Sequence, residues 1–164
     1  MTPTSYQGTY EVSDATIPNL HDALPKIGNG MFRTAYDMGD VVVKRATKGT
    51  ARERECNLGE AALWAKVKDT EVAPMFAAVL ACASGGDWLV MEKAASTLWG
   101  IYGLDDWSSD KYKAANAHIR TFKEVYAGAI QEYKVGDMHG ANIAMMTDGR
   151  TAMIDYALPL HWGS

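Results

Sequence analysis

The stretch from Val135 to Ala157, VGDMHGANIAMMTDGRTAMIDYA, constrains this chain more than any other. Ile143 to Met146 and Thr151 to Ile154 are short apolar-rich runs separated by Thr147, Asp148, Gly149 and Arg150. Asp-Gly between two such runs predicts a β-hairpin, because both residues accept positive φ. Asn142 immediately precedes the first run and Asp155 immediately follows the second. Pairing the strands therefore sets Asn142 and Asp155 side by side at the open end, with Asp137 on the loop just before. An amide and a carboxylate converging in this way suit an oxygen-ligated Mg²⁺, which takes few protein ligands and fills its shell with water or phosphate oxygens.

A chain of 164 residues has room for one domain, or for two small lobes. Its hydrophobic content of 48% predicts a folded core rather than disorder. A net charge of −4 leaves no basic footprint, which argues against nucleic acid as the main partner. Cys56 and Cys82 lie far apart in sequence and fit a reducing compartment better than a disulfide scaffold. His21, His118, His139 and His161 show no zinc spacing. The first basic residue is Lys26, so the N-terminus lacks the charged start of a signal peptide. The longest apolar run, Val72 to Ala83, is interrupted by Pro74 and is too short for a membrane span. The expectation is a soluble, cytoplasmic protein with no membrane partner.

Taken in order, residues 1–22 are weakly patterned, and a packed extension and a partly ordered one both fit. Leu24 to Ile27 leads into Gly28-Asn29-Gly30, after which Met31 to Tyr36 and Val41 to Lys44 read as strands. A dinucleotide-binding glycine motif would open a helix and carry a third glycine, whereas Arg33 stands there and strands follow. A phosphate-covering loop between antiparallel strands fits better, with a plain hairpin turn as the commoner origin of two glycines. Alternation puts Lys44 on the face of Val42. Thr50-Ala51-Arg52-Glu53 matches a capping box and predicts a helix to about Lys68. Cys56, Glu60, Leu63 and Val67 recur at helical spacing, so Glu60 lies on the inward face with no basic neighbour on its own helix. Such a carboxylate either finds a distant cation, for which Lys44 is the candidate, or reaches water at the edge of the stripe.

Val72 to Ser84 and Asp87 to Lys93 flank Gly85-Gly86 and predict a second hairpin. Ser96 to Trp107 reads as irregular, with Trp99 and Trp107 as packing residues. A long helix is expected from about Asp110 to Tyr133. Its apolar stripe is Tyr112, Ala115, Ile119, Phe122, Tyr126, Ala129 and Tyr133.

This ordered set resembles the protein-kinase-like superfamily, which includes aminoglycoside-phosphotransferase-type and small phage kinase-like proteins. Gly28-Asn29-Gly30-Met31-Phe32 is similar to the glycine-rich loop, and Val41-Val42-Val43-Lys44 to the strand that carries the phosphate-binding lysine. Glu60 falls where the helix partner of that lysine stands. Leu89-Val90-Met91-Glu92-Lys93-Ala94 resembles the hinge, Gly136-Asp137-Met138-His139-Gly140-Ala141-Asn142 the GDxHxxN catalytic loop, and Ile154-Asp155-Tyr156-Ala157 the Asp-Phe-Gly segment. The chain departs from the family pattern at Arg33, where a third glycine is usual, and at Tyr156-Ala157 in place of Phe-Gly.

The resemblance implies an α+β fold. A small antiparallel β N-lobe with one helix would span 23–94, and a minimal, mainly helical C-lobe 95–164, after the extension 1–22. It implies ATP and Mg²⁺ as cofactors, with Gly28, Asn29, Gly30, Lys44, Met91, Glu92 and Ala94 toward the nucleotide. Asn142 and Asp155 would hold the metal; Asp137 would be the catalytic base, supported by Lys44 and Glu60. His139 would order the catalytic loop. The implied activity is phosphoryl transfer to protein hydroxyls or to the chain itself. Nine residues follow Asp155, where a full kinase carries its activation segment and further helices. The alternative is therefore a catalytically idle kinase-like module that binds and regulates a partner protein. A homo-oligomer is also open.

Overall fold

The computed structural model describes residues 2–29, 33–103 and 109–156. It has an α+β architecture with antiparallel sheets, and its chain divides into two compact units. One comprises the chain to Lys68 together with Ala78–Lys93; the other comprises Asp69–Ala77 and Ala94–Tyr156. The division is discontinuous, unlike the continuous segments 1–22, 23–94 and 95–164 expected from sequence.

In the first unit a short ladder of β1 (Tyr6–Gln7) and β2 (Glu11–Val12) leads through a 3₁₀ turn into α1 (Leu20–Ala23). The main sheet contains β3 (Lys26–Asn29), β4 (Arg33–Asp37), β5 (Val41–Ala46), β6 (Val79–Cys82) and β7 (Trp88–Glu92), in the order β3-β4-β5-β7-β6. Valine-rich β5 is central because its residues are buried on both faces. Val41 and Val43 share one face with Val90 and Trp88 of β7. Val12, Ile17, Leu20 and Leu24 join them in a single core cluster. The N-terminal residues thus cover this face of the sheet, which answers the question left open by their weak pattern. Trp88 is fully buried, and its indole N–H donates to Asp14 Oδ1 at 2.9 Å.

The other face receives α2 (Ala51–Val67). Its start is the capping box the sequence predicts. The Thr50 hydroxyl accepts from the Glu53 N–H, and Glu53 Oε2 accepts from the Thr50 N–H at 3.1 Å and the Lys48 N–H at 2.7 Å. The strand expected from Val72 is confined to β6, because Ala73–Met75 around Pro74 turns as 3₁₀ helix. Gly86 closes the β6–β7 turn at φ +83. The expected start of β4 at Met31, and the loop glycine Gly30, lie outside the described residues.

The second unit holds a three-stranded sheet of β8 (Ala94–Thr97), β9 (Ile143–Met146) and β10 (Thr151–Met153), in the order β10-β9-β8. The Asp148-Gly149 hairpin forms as expected, though of the two residues only Gly149 takes positive φ. Asp148 instead accepts the Arg150 N–H at 3.1 Å. β8 and the short helix α3 (Leu98–Tyr102) occupy part of what reads as irregular chain. Small and polar residues in β8 carry no strand signature, and its pairing with β9 supplies the stability that propensity lacks. α4 (Ser109–Val125) and α5 (Ala127–Tyr133) replace the single long helix. The break falls at Tyr126, just before Gly128, a poor helix former. Phe76 bridges to Met153, and the Tyr156 hydroxyl donates to the Ala77 carbonyl at 2.9 Å. Segment 69–77 is therefore stitched along β10. Among the described residues no helix is long and apolar enough to cross a membrane.

Candidate functional site

Strand register decides which polar groups meet in the first unit. Lys44 pairs with Ala35 and Leu89, and Arg33 pairs with Ala46. Cross-strand partners share a face, so Arg33 and Lys44 stand on the side that receives α2. Glu60 of α2 is fully buried there. Its Oε1 accepts a hydrogen bond from Lys44 Nζ at 3.1 Å and another from Arg33 Nη1. The carboxylate does not reach water at the stripe edge; it is ion-paired.

Asn57, three residues before Glu60, is also fully buried. Its Oδ1 accepts from Arg33 Nη1 at 3.1 Å, and its Nδ2 donates to the Gly86 carbonyl at 2.9 Å. The two protons of Arg33 Nη1 thus match two acceptors, Asn57 and Glu60. Burial pushes the Cys82 thiol up to about 11, with the Glu60 charge adding to the effect and Arg33 opposing it. That thiol is a packing group rather than a nucleophile.

Neither Arg33 nor Asn57 is found by sequence reasoning. Arg33 reads as a substituted loop glycine, and only the β4–β5 register shows that it shares a face with Lys44. Asn57 left a usable signal: it lies on the same helical face as Glu60, where an amide needs a partner.

In the second unit the loop after α5 gathers the other constellation. Asp137 adopts φ +54, a left-handed backbone that few non-glycine residues take and that asparagine and aspartate tolerate best. Asn142 Nδ2 donates to the Asp137 carbonyl at 3.0 Å and to its Oδ2 at 2.9 Å. The same Nδ2 also lies 3.1 Å from His139 Nε2. His139 Nδ1 accepts the Ala141 N–H at 3.2 Å, so in a neutral ring the proton sits on Nε2. Nε2 faces Asp137 Oδ1 at 3.3 Å and has that oxygen to donate to. Both oxygens of the Asp137 carboxylate are thereby oriented, one by His139 and the other by Asn142.

Trp99 braces this loop. Its indole stacks on His139 with centroids 5.2 Å apart, and the Trp99 backbone N–H donates to the Gly140 carbonyl at 3.0 Å. Sequence reasoning assigns Trp99 to packing without naming the loop as what it packs on.

The Ile154 N–H donates to the Asn142 carbonyl at 2.9 Å, so Asp155 follows directly after the last rung beside Asn142 and is half-buried. With Nδ2 turned to Asp137, the Asn142 Oδ1 is the amide atom suited to a cation. An amide oxygen and a nearby carboxylate fit a Mg²⁺ that keeps most of its own water. Among the described residues no cluster of three or more His, Cys, Asp or Glu forms a metal site of that denser kind.

The remaining candidates sit on strands. Gly28 and Asn29 pair with Ala35 and Thr34 at the end of β3. Met91 is buried in β7, opposite Val42 and Val79. The Glu92 N–H donates to the Ala78 carbonyl at 2.9 Å, and its Oε2 accepts from the Ala78 N–H at 3.1 Å. Ala94 opens β8 opposite Met146.

No family model matches the chain, and no curated protein matches it.

Proposed function

We propose that this chain is an ATP- and Mg²⁺-dependent phosphotransferase of the protein-kinase-like type, acting on a hydroxyl of a protein or of its own chain. The observation that carries the reading is the fully buried Glu60 bound to Lys44 at 3.1 Å. A charged pair held away from water costs stability unless it is well satisfied, and its retention suits a lysine that must be held for a ligand.

In this reading Lys44, oriented by Glu60, binds the phosphates of the nucleotide. Gly28 and Asn29, at the end of β3, would offer backbone N–H groups toward them. Asn142 and Asp155 would hold Mg²⁺, which supplies charge neutralisation at phosphate oxygens in a loose transition state. Asp137, with one oxygen facing His139 and the other Asn142, receives the acceptor hydroxyl on its remaining lone pairs and takes the proton as the oxygen attacks. His139 and Asn142 fix the direction of that acceptance.

Incubation with labelled ATP and Mg²⁺, alone and with protein acceptors, tests the reading. Transfer is expected to vanish without Mg²⁺ and to fall at least about 100-fold in Asp137→Asn. Transfer that survives Asp137→Asn unchanged, or that never occurs with the folded wild type, sinks it.

A further inference from the structure

The Glu60 oxygen that holds Lys44 holds a second cation. Arg33 Nη1 donates to the same Oε1, and is itself fixed by Asn57 Oδ1 at 3.1 Å, which is anchored to the Gly86 carbonyl at 2.9 Å. Arg33, Asn57 and Glu60 are all buried, at 8%, 0% and 0% exposure, so these bonds are little screened by solvent. We propose that Arg33 is a positioning residue that shares the Glu60 carboxylate with Lys44 and so limits how tightly Lys44 is bound. This rests on the reading of Lys44 as the phosphate-binding lysine.

The physical reason is competition at one atom. A guanidinium is a permanent cation with planar donors, and Asn57 holds this one in place, so it takes a share of the Oε1 charge that cannot be withdrawn by deprotonation. Two like charges at one oxygen also repel each other. Both effects loosen Lys44 from Glu60 and leave its ammonium easier to turn toward an anionic ligand. Arg33 would therefore act through Lys44, without contacting the nucleotide.

The sign of the effect separates this role from simple packing. Without the Arg33 charge, Glu60 pairs more strongly with Lys44, the ammonium form is favoured, and acylation of Lys44 slows. Loss of packing alone would open the cluster and speed acylation. Pulse labelling of the whole chain with acetic anhydride, followed by peptide mass spectrometry at Lys44, reads the difference. Arg33→Met and Arg33→Gln are expected to slow labelling of Lys44 roughly threefold or more, and Arg33→Lys to restore a rate near wild type. Arg33→Gln keeps an N–H for Asn57 and serves if Arg33→Met does not fold. Unchanged or faster labelling overturns the proposal, as does loss of fold in both neutral variants, which would make Arg33 a purely structural residue. A separate arm adds MgATP to the wild type. Protection of Lys44 supports the phosphate reading, and its absence removes that reading while leaving the labelling result to judge the sharing of Glu60.

Discussion

A Cβ built on Gly140 would clash with Cδ1 and Nε1 of Trp99, so the indole rests directly on the backbone of the Asp137 loop. Gly140→Ala must displace that ring, and with it the stacking on His139. Its expected cost is about 1–3 kcal/mol, the range for overpacking a well-filled site. Trp99→Ala in the same background should recover part of that loss, a coupling that thermal unfolding of the two single variants and the double can measure. At Cys82 the prediction concerns pH. Its thiol is raised from 9.0 to about 11 in the folded chain. A raised pKa means that the folded state holds the proton longer than the unfolded state. The contribution to stability is therefore complete below pH 9 and is lost as pH rises through 11. Denaturant melts of wild type and Cys82→Ala across pH 8–11 should show a steeper alkaline decline for the wild type.

Among the elements, α2 owes its start to two side chains acting reciprocally. Thr50→Ala removes the acceptor for the Glu53 N–H and should cost about 1 kcal/mol. Glu53→Ala removes the acceptor for two backbone N–H groups and should cost more, since Glu53 is nearly fully buried. An opposite result is expected in α5. A Cβ on Gly128 meets nothing within 4 Å and φ there is ordinary, so Gly128→Ala should stabilise the chain by about 0.5–1 kcal/mol. A fall in the thermal midpoint would show that the break at Tyr126 needs the glycine.

For the molecule as a whole, the N-terminal residues behave as part of a core rather than as an appendage. Val12, Ile17, Leu20 and Leu24 cover the sheet face that holds Val41, Val43, Trp88 and Val90. Removing residues 1–24 would uncover that face together with the buried Trp88 indole, whose N–H would lose Asp14. The truncated chain should bind a hydrophobic dye and show red-shifted Trp emission. Native-like emission without dye binding would refute this account. Asp14→Ala isolates the hydrogen bond and should cost about 1–3 kcal/mol by leaving a buried donor unpaired.

Local pattern was enough for the parts of this protein whose stability is local. Thr50 and Glu53 specify a helix start among four residues, and Asp148-Gly149 specifies a turn between two apolar runs. The phase of α2 placed Glu60 inward and offered Lys44 as a candidate cation, with water at the stripe edge as the alternative that the fold then closed. Other features have causes far apart in sequence. β8 exists because β9 pairs with it, and nothing in Ala94 to Thr97 announces a strand. Segment 69–77 joins β10 through Phe76, Ala77 and Tyr156, which no periodicity links. Arg33 meets Glu60 only because the β4–β5 register turns it to the α2 face, and a slip of one residue would turn it away. Sequence by itself determined which residues must be buried, capped or turned, since those preferences are set within a few residues. Only the tertiary structure decided which buried charges share a partner, since that depends on strand register and helix packing across the whole unit.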